Sequence, residues 1–386
     1  MRVMRAEPGR FADMTSRSVG AAWRAYDLQL TTFAALLGSI GLVMAYTNSV
    51  EAGQSVLADG TVFSRALVWS ALAMVVFTVV TLFDYRWLKT LAWPIYGVNV
   101  GLLVVTLAIG DGVGGSARWV SLGPFTFQFS ELAKILMMVV LAAYLGNREG
   151  RLDSLSSIVG ACLLMVPPVL LVMLQPDLGT SLVLVSILAG MLFMSGASLR
   201  WLLAMAAGVL AAIPLAWTYV LRDYQKNRIL SFLDPSADVQ GSGWQLIQSQ
   251  IAVRSGGLLG TGLTNGSQGR GEFLPVQESD FVFAVLAQEL GFIGALVVFV
   301  LFAALIWRIL ACAWRSRDPF GTLLGAGLAS MILFQVFVNI GMVIGILPIT
   351  GIPLPFITHG GASLVSIAIG LGILQSVNVR QRRAEW

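Results

Sequence analysis

Asp280 falls within the run from Phe273 to Gly291, directly before a long apolar stretch, so its carboxylate is carried to the edge of a membrane-length helix. An acid in that position is expensive and usually functional. It can take a proton from an attacking hydroxyl that comes within hydrogen-bond reach. It can also cap the helix that follows, since Asp is a favoured N-cap residue. The residues alone leave both roles open, and the two can coexist.

Other charges stand where a membrane chain rarely keeps them. Glu131 and Lys134 are spaced i, i+3 at the start of an apolar run, so they share a helix face and can pair. Such a pair turns toward the bundle interior, where it either fixes packing or offers its ammonium to a phosphate. Arg118 precedes the same run beside Trp119; the arginine suits bidentate phosphate binding, and the tryptophan suits an anchor at the membrane interface. Asp177, in Gln175-Pro-Asp-Leu-Gly179, either caps the next helix or holds a substrate hydroxyl. Glu278 reads as a surface charge. Glu289 lies nine residues past Asp280, roughly 13 Å along a helix rising 1.5 Å per residue, too deep to share a substrate with it. A lone His359 is weak evidence for a metal.

The elements that position these groups follow from composition. With 57% hydrophobic and 11% charged residues and a mean hydropathy of +0.82, the chain has lipid as its main solvent. Apolar runs of about 20 residues, enough to cross a bilayer, occupy 28–47, 64–83, 90–110, 131–147, 157–174, 179–195, 200–221, 281–307, 320–345 and 359–378. The expected fold is therefore an all-α polytopic membrane protein of about ten transmembrane helices. Most of the 24 Lys and Arg fall in the N-terminal segment, the loops near 86, 150 and 315, and the tail, which makes that side cytoplasmic. Both termini are expected there, and no removable signal peptide is read in the first 27 residues. The expected organisation is a cytoplasmic segment 1–27, one membrane domain 28–378 and a cytoplasmic tail 379–386. Cys162 and Cys312 fall within or beside spans, and no disulfide is expected.

Eight cations remain on the opposite side: Arg65, Arg118, Lys134, Arg222, Lys226, Arg228, Arg254 and Arg270. Several lie in the long outer loop 222–280, and loops of such length are rarely passive. Within it Trp244, Ile247, Ile251 and Leu258 recur near helical spacing, with Gln245, Gln248, Ser249 and Arg254 on other faces. That pattern predicts an amphipathic helix lying on the membrane surface. The glycines from Gly256 to Gly271 predict a mobile stretch leading to Asp280. Pro348, Gly351, Pro353 and Pro355 predict irregular backbone at membrane depth, which is tolerated where it lines a cavity.

Six blocks carry a resemblance: Gly115-Ser-Ala-Arg-Trp119, Phe127 to Lys134, Gln175 to Thr180, Asn227 to Pro235, Phe273 to Gly291, and Thr350 to Phe356 followed by Gly360-Gly361. In that order they resemble the SEDS (shape, elongation, division and sporulation) glycosyltransferases, and Ile349 to Pro355 is more similar to the elongation branch than to the division branch. The resemblance implies polymerisation of peptidoglycan glycan strands from lipid II at the outer face of the bacterial cytoplasmic membrane, with a class B penicillin-binding protein as transpeptidase partner within the cell-elongation machinery. It also implies that Asp280 is the catalytic residue. Phe129, Gln288, Thr358, His359 and Ala362 depart from the family's usual residues. No nucleic-acid partner is expected.

The chemistry is consistent with that implication. A hydroxyl attacking an anomeric carbon must lose a proton, which Asp280 can accept as general base. A diphosphate leaving group gains charge, which Arg118, Lys134, Arg222 or Arg254 can stabilise. Glu131 and Asp177 complete the candidate substrate-binding set. No cofactor is implied with certainty, and a divalent cation such as Mg²⁺ remains open because the outward acids show no specific ligand spacing. The alternative is a flippase for a lipid-linked cell-wall precursor, since carriers also use broken helices and intramembrane charges. The gathering of charges at the outer third favours the enzyme.

Overall fold

The computed structural model describes residues 25–51, 58, 60–110, 118–122, 125–148, 155–238, 241–265, 280–358 and 360–381. Glu278, Arg270 and His359, and most of the terminal segments, lie outside the described residues.

Twelve helices matter here: α1 Leu28–Glu51, α2 Val62–Leu82, α3 Ala92–Ile109, α4 Phe129–Gly146, α5 Leu155–Leu174, α6 Leu178–Met194, α7 Leu199–Leu215, α8 Asp223–Leu233, α9 Ser242–Ser255, α10 Val282–Arg315, α11 Pro319–Val343 and α12 Gly361–Gln381. A two-stranded antiparallel hairpin, β1 Val120–Leu122 and β2 Phe125–Phe127, precedes α4. Among the described residues nine helices are long and apolar enough to cross a membrane, and α6 is a shorter tenth. The ten predicted spans match these ten helices, with ends displaced by a few residues. α8 and α9 do not span.

The helices divide into a core and a lipid-facing shell. α4, α11 and α12 are 72%, 72% and 78% buried over their most apolar windows, whereas that of α7 is not buried at all. Apolar side chains on the outer helices face hydrocarbon, so their exposure carries no aqueous penalty. One buried cluster runs continuously from Leu30 to Val377. Met138, Leu141, Ile187, Met191, Leu328 and Met331 within it are each at most 2% exposed, and Gln335 and Gln375 are also fully buried.

The charges lie at the two ends. At the end holding both termini of the bundle, Arg308 donates to Asp27 Oδ2 through Nε at 2.7 Å and Nη2 at 2.6 Å, joining the start of α1 to α10. Arg380 of α12 donates to the carbonyls of Thr81 (3.0 Å) and Leu82 at the end of α2. Cys162 and Cys312 are free thiols. At the opposite, site end lie Glu131, Lys134, Glu289, α8 and α9.

α10 is not one helix. Gly291 has φ 67° and ψ −169°, which divides it into a nine-residue segment, 282–290, and a long one from 292 onward. The sequence predicted an unbroken span here; the break is a correction. It exposes backbone groups that the ladder would otherwise pair, and the segment 257–264 satisfies them. Thr261 N donates to Gln288 O (3.0 Å) and Gly262 N to Glu289 O (3.1 Å), while Phe292 N donates to Gly257 O (2.9 Å) and Ile293 N to Leu258 O (3.2 Å). The predicted mobile stretch is therefore fixed over its described part, up to residue 265. The close approach demands glycine: a Cβ on Gly260 (φ +84°) would sit 2.0 Å from Glu289 O.

The helix α9 also departs from expectation. Leu246, Gln248, Ser249 and Ala252 are buried while Trp244, Ile251 and Leu258 are exposed, and Ser249 Oγ donates to Val343 O at 3.1 Å. Its small and polar face docks on α10 and α11, because those side chains fit against backbone, and its apolar face is left outward. It is a docked helix whose apolar side faces away from the protein.

The corner between α8 and α9 is tied by Asp238, which accepts from Ser231 Oγ (2.9 Å), Ser242 Oγ (3.2 Å) and Gly243 N (3.3 Å). These bonds, that from Ser231 foremost, hold its carboxyl below the ordinary value of 3.8. A depressed carboxyl contributes stability that is present above its unfolded pKa and lost as pH falls through the folded one. Amide exchange at Gly243, corrected against Asp238→Asn, should therefore reveal an opening step only below pH 3.8. A step near neutrality contradicts this account. Gly260→Ala should destabilise the protein by about 2 kcal/mol or more, since a non-glycine residue at positive φ costs about 1–3 kcal/mol before any clash. Thermal melting in detergent measures it, and an unchanged midpoint would disprove the tight docking.

Candidate functional site

The irregular segment between α11 and α12 is the floor on which the site is assembled. Residues 344–358 form no helix, as the prolines predicted, yet Ile349, Ile352, Leu354 and Ile357 are at most 5% exposed. Their burial leaves backbone carbonyls inside the bundle that need donors. Asn339, on the last turns of α11 and fully buried, supplies one: its Nδ2 donates to Ile352 O at 2.8 Å. The same Nδ2 donates to Asp280 O at 3.1 Å. A single amide thus fixes the backbone of the acid and the backbone of the floor to one another.

Asp280 itself is half-buried. The N-cap position of α10 belongs to Phe281, which is 1% exposed. Asp280 therefore stands one residue before the N-cap position. Gly351, at φ +74°, faces the carboxylate: a Cβ there would lie 3.5 Å from Asp280 Oδ2 and 3.6 Å from Arg228 Nη1. The glycine thus lies beside both an acid and a guanidinium.

Asp177 approaches the same floor from α6. A Cβ on Gly179 would meet Ile352 Cγ1 at 2.9 Å, Thr350 O at 3.0 Å and Asp177 Oδ1 at 3.8 Å. The Asp177 carboxylate caps α6, accepting from Thr180 N (3.1 Å), and also accepts from Thr180 Oγ1 (2.9 Å) and Gln128 Nε2 (2.9 Å). Of the two roles read for it, the cap is the one its bonds describe.

The cations separate into committed and available groups. Lys134 Nζ lies 2.7 Å from Glu131 Oε2, with both side chains nearly inaccessible. That is the buried ion pair expected from their spacing, and removing one partner strands the other charge. Arg118 donates through Nε to Gln175 O (3.1 Å) and through Nη2 to Pro176 O, bracing the turn before α6. Arg222 and Arg254 are exposed, on the start of α8 and the last turn of α9. Glu289 Oε1 accepts from Thr264 N at 2.9 Å, so it holds the re-entrant segment. Gln288, a departure from the family pattern, donates to Ser255 Oγ at 3.0 Å.

Sequence reasoning missed Arg228 and Asn339. Arg228 was visible as one of the surplus cations and within the block 227–235, but nothing in spacing brings it to Asp280. Tyr224 does: its hydroxyl donates to Pro176 O at 2.8 Å, docking α8 on the turn before α6, and the Arg228 guanidinium lies 5.8 Å from the Tyr224 ring centroid. Asn339 was legible only as an amide in an apolar span, itself a costly placement. Among the described residues no group of three or more His, Cys, Asp or Glu side chains is placed to hold a metal.

A polytopic helical membrane protein with an acid, Asp280, at the site end of its bundle and a re-entrant loop bracing a broken helix is the class defined by this geometry. Residues 27–383 match the family model FTSW_RODA_SPOVE, described as a cell cycle protein, and the chain belongs to that family. It is 38% identical over 337 residues to the peptidoglycan glycosyltransferase MrdB of Escherichia coli (strain K12), covering 83% of this chain and 91% of that relative. Among solved structures it is similar to a chain of a peptidoglycan synthase complex that coordinates polymerization and crosslinking, with a TM-score of 0.78 at 31% identity over 92% of this chain and 98% of that one. The rod shape determining protein RodA of Thermus thermophilus matches with a TM-score of 0.69 at 29% identity, over 93% and 98% of the two chains.

If Asn339 fixes the acid, freeing the Asp280 carbonyl should loosen it. Alkylation of Asp280→Cys by a water-soluble maleimide should rise about tenfold when Asn339 is also changed to Leu, the scale expected when a buried hydrogen bond of about 1.4 kcal/mol is lost. Equal rates in the two backgrounds would remove Asn339 from this role.

Proposed function

We propose that this chain is a peptidoglycan glycosyltransferase that polymerises lipid II into glycan strands during cell elongation. In this reading it spans the bacterial cytoplasmic membrane many times, with both termini cytoplasmic and the site end outward, beside a class B penicillin-binding protein. Family membership and similarity to MrdB and RodA support the activity. The basic residues of the terminal end support the orientation. The observation that carries the mechanism is the half-buried Asp280 carboxylate, fixed by its own backbone at the mouth of the bundle.

The reaction balances as a single displacement. The acceptor sugar hydroxyl attacks the anomeric carbon of the donor and passes its proton to Asp280. The bond from that carbon to the diphosphate oxygen breaks, and its electron pair leaves with the lipid diphosphate. Binding the reactants beside a fixed base supplies orientation as well as proton transfer. Were a divalent cation such as Mg²⁺ bound here, the Asp280 carboxylate would hold it, and it would supply positive charge against the leaving diphosphate. Asp177 already accepts hydrogen bonds from Thr180 and Gln128.

The carrier reading needs a polar path from end to end. Between the charged ends the described core is apolar at Met138, Leu141, Ile187, Met191, Leu328 and Met331, which argues for chemistry at one face. Purified protein given labelled lipid II in detergent, with its penicillin-binding partner, should form glycan strands, and Asp280→Asn should reduce the rate about 10²- to 10⁴-fold while folding normally. An inactive wild type that moves lipid II across vesicle membranes would replace the transferase with a carrier.

A further inference from the structure

The leaving diphosphate needs a cation aimed at the oxygen that gains charge, and the cations expected from sequence are poorly placed to provide one. Lys134 is sealed against Glu131, and Arg118 is occupied by the carbonyls of Gln175 and Pro176. Arg228 is different in three respects. It is half-buried on α8. Its guanidinium faces the Asp280 carboxylate across Gly351. Among the described residues it makes no hydrogen bond or ion pair, only a ring contact with Tyr224. The planar fork of a guanidinium matches two phosphate oxygens at once.

We propose that Arg228 is the residue that binds the diphosphate of the lipid-linked donor and stabilises the charge it gains on departure. This inference rests on the transferase reading of the same site. The geometry assigns complementary tasks across Gly351: Asp280 takes the acceptor proton, and Arg228 donates hydrogen bonds to the diphosphate oxygen that receives the electron pair. No proton passes from the arginine. Its position is preset, because Tyr224, one turn earlier on α8, is anchored on Pro176 O and its ring lies beside the guanidinium. A donor arranged before the reaction acts where charge develops, so its effect falls on turnover more than on ground-state binding. Gly351 also limits what can stand there: any side chain at that position enters the space between acid and cation.

Two measurements on the full chain separate this assignment from the function it rests on. First, binding of farnesyl diphosphate, a short isoprenyl diphosphate, is followed by thermal shift in detergent. Wild type and Asp280→Asn should be stabilised by it, Arg228→Gln should not, and Arg118→Gln should behave as wild type. Second, in lipid II polymerisation Arg228→Gln and Arg228→Lys should lose about 10²- to 10³-fold in kcat with a smaller change in KM, and Arg228→Ala should recover part of its rate with added guanidinium. Farnesyl diphosphate binding that survives Arg228→Gln, or is absent from wild type, overturns the assignment. Selective loss of diphosphate binding in Arg228→Gln from a wild type that does not polymerise would uphold the anion site and overturn the transferase reading.

Discussion

The break in α10 at Gly291 governs the site end of the molecule. Within a membrane every backbone N–H and C=O must find a partner inside the protein, so a helix interrupted there survives only if another segment meets its unpaired groups. Residues 257–262 do so with four backbone hydrogen bonds, two accepting from the lower segment of α10 and two donating to its upper one. Side-chain bonds flank the segment on both sides, from Gln288 to Ser255 at the end of α9 and from Thr264 N to Glu289. The result is a nine-residue helix, held apart from the long span below it, that begins next to Asp280. Its direction is set by the loop and not by the rest of α10.

A second constraint is the shared amide of Asn339. With the acid on one side and the floor at Ile352 on the other, three chain segments distant in sequence meet at one buried side chain. The floor then meets α6 at Gly179, and lies beside Asp280 and Arg228 at Gly351. The charged pair Glu131–Lys134 stands nearby in the chain's architecture as a sealed unit. Buried pairs of this kind contribute little net stability but are severe to break, which suits a role in fixing α4 inside the core.

Much of this was legible in the residues. The ten spans are runs of apolar side chains, and length alone identifies them. Asp280 stood out because an acid before an apolar run is costly, and Glu131–Lys134 because i, i+3 spacing forces proximity. What could not be read depends on contacts between distant segments. Gly291 looks like any helical glycine until the glycines of 257–262 are laid against it, and those glycines signalled mobility because their docking partner was unknown. α9 shows two faces in sequence, but which face meets protein depends on the surface offered by α10 and α11. Arg118 looked like a phosphate ligand because its carbonyl partners, 57 and 58 residues away, leave no mark on local spacing. Arg228 was one of eight surplus cations until Tyr224 docked its helix.

The apolar middle of the bundle has a bearing on membrane energetics. A charge crossing the membrane potential carries about 2.3 kcal/mol per 100 mV, and a chain with polar groups strung along its axis offers protons and ions a conducting path. Here the buried charges of the site end are separated from the ion pairs of the terminal end by methionine, leucine and isoleucine side chains packed to near-zero exposure. An apolar layer of this kind raises the cost of moving a charge from one end of the bundle to the other.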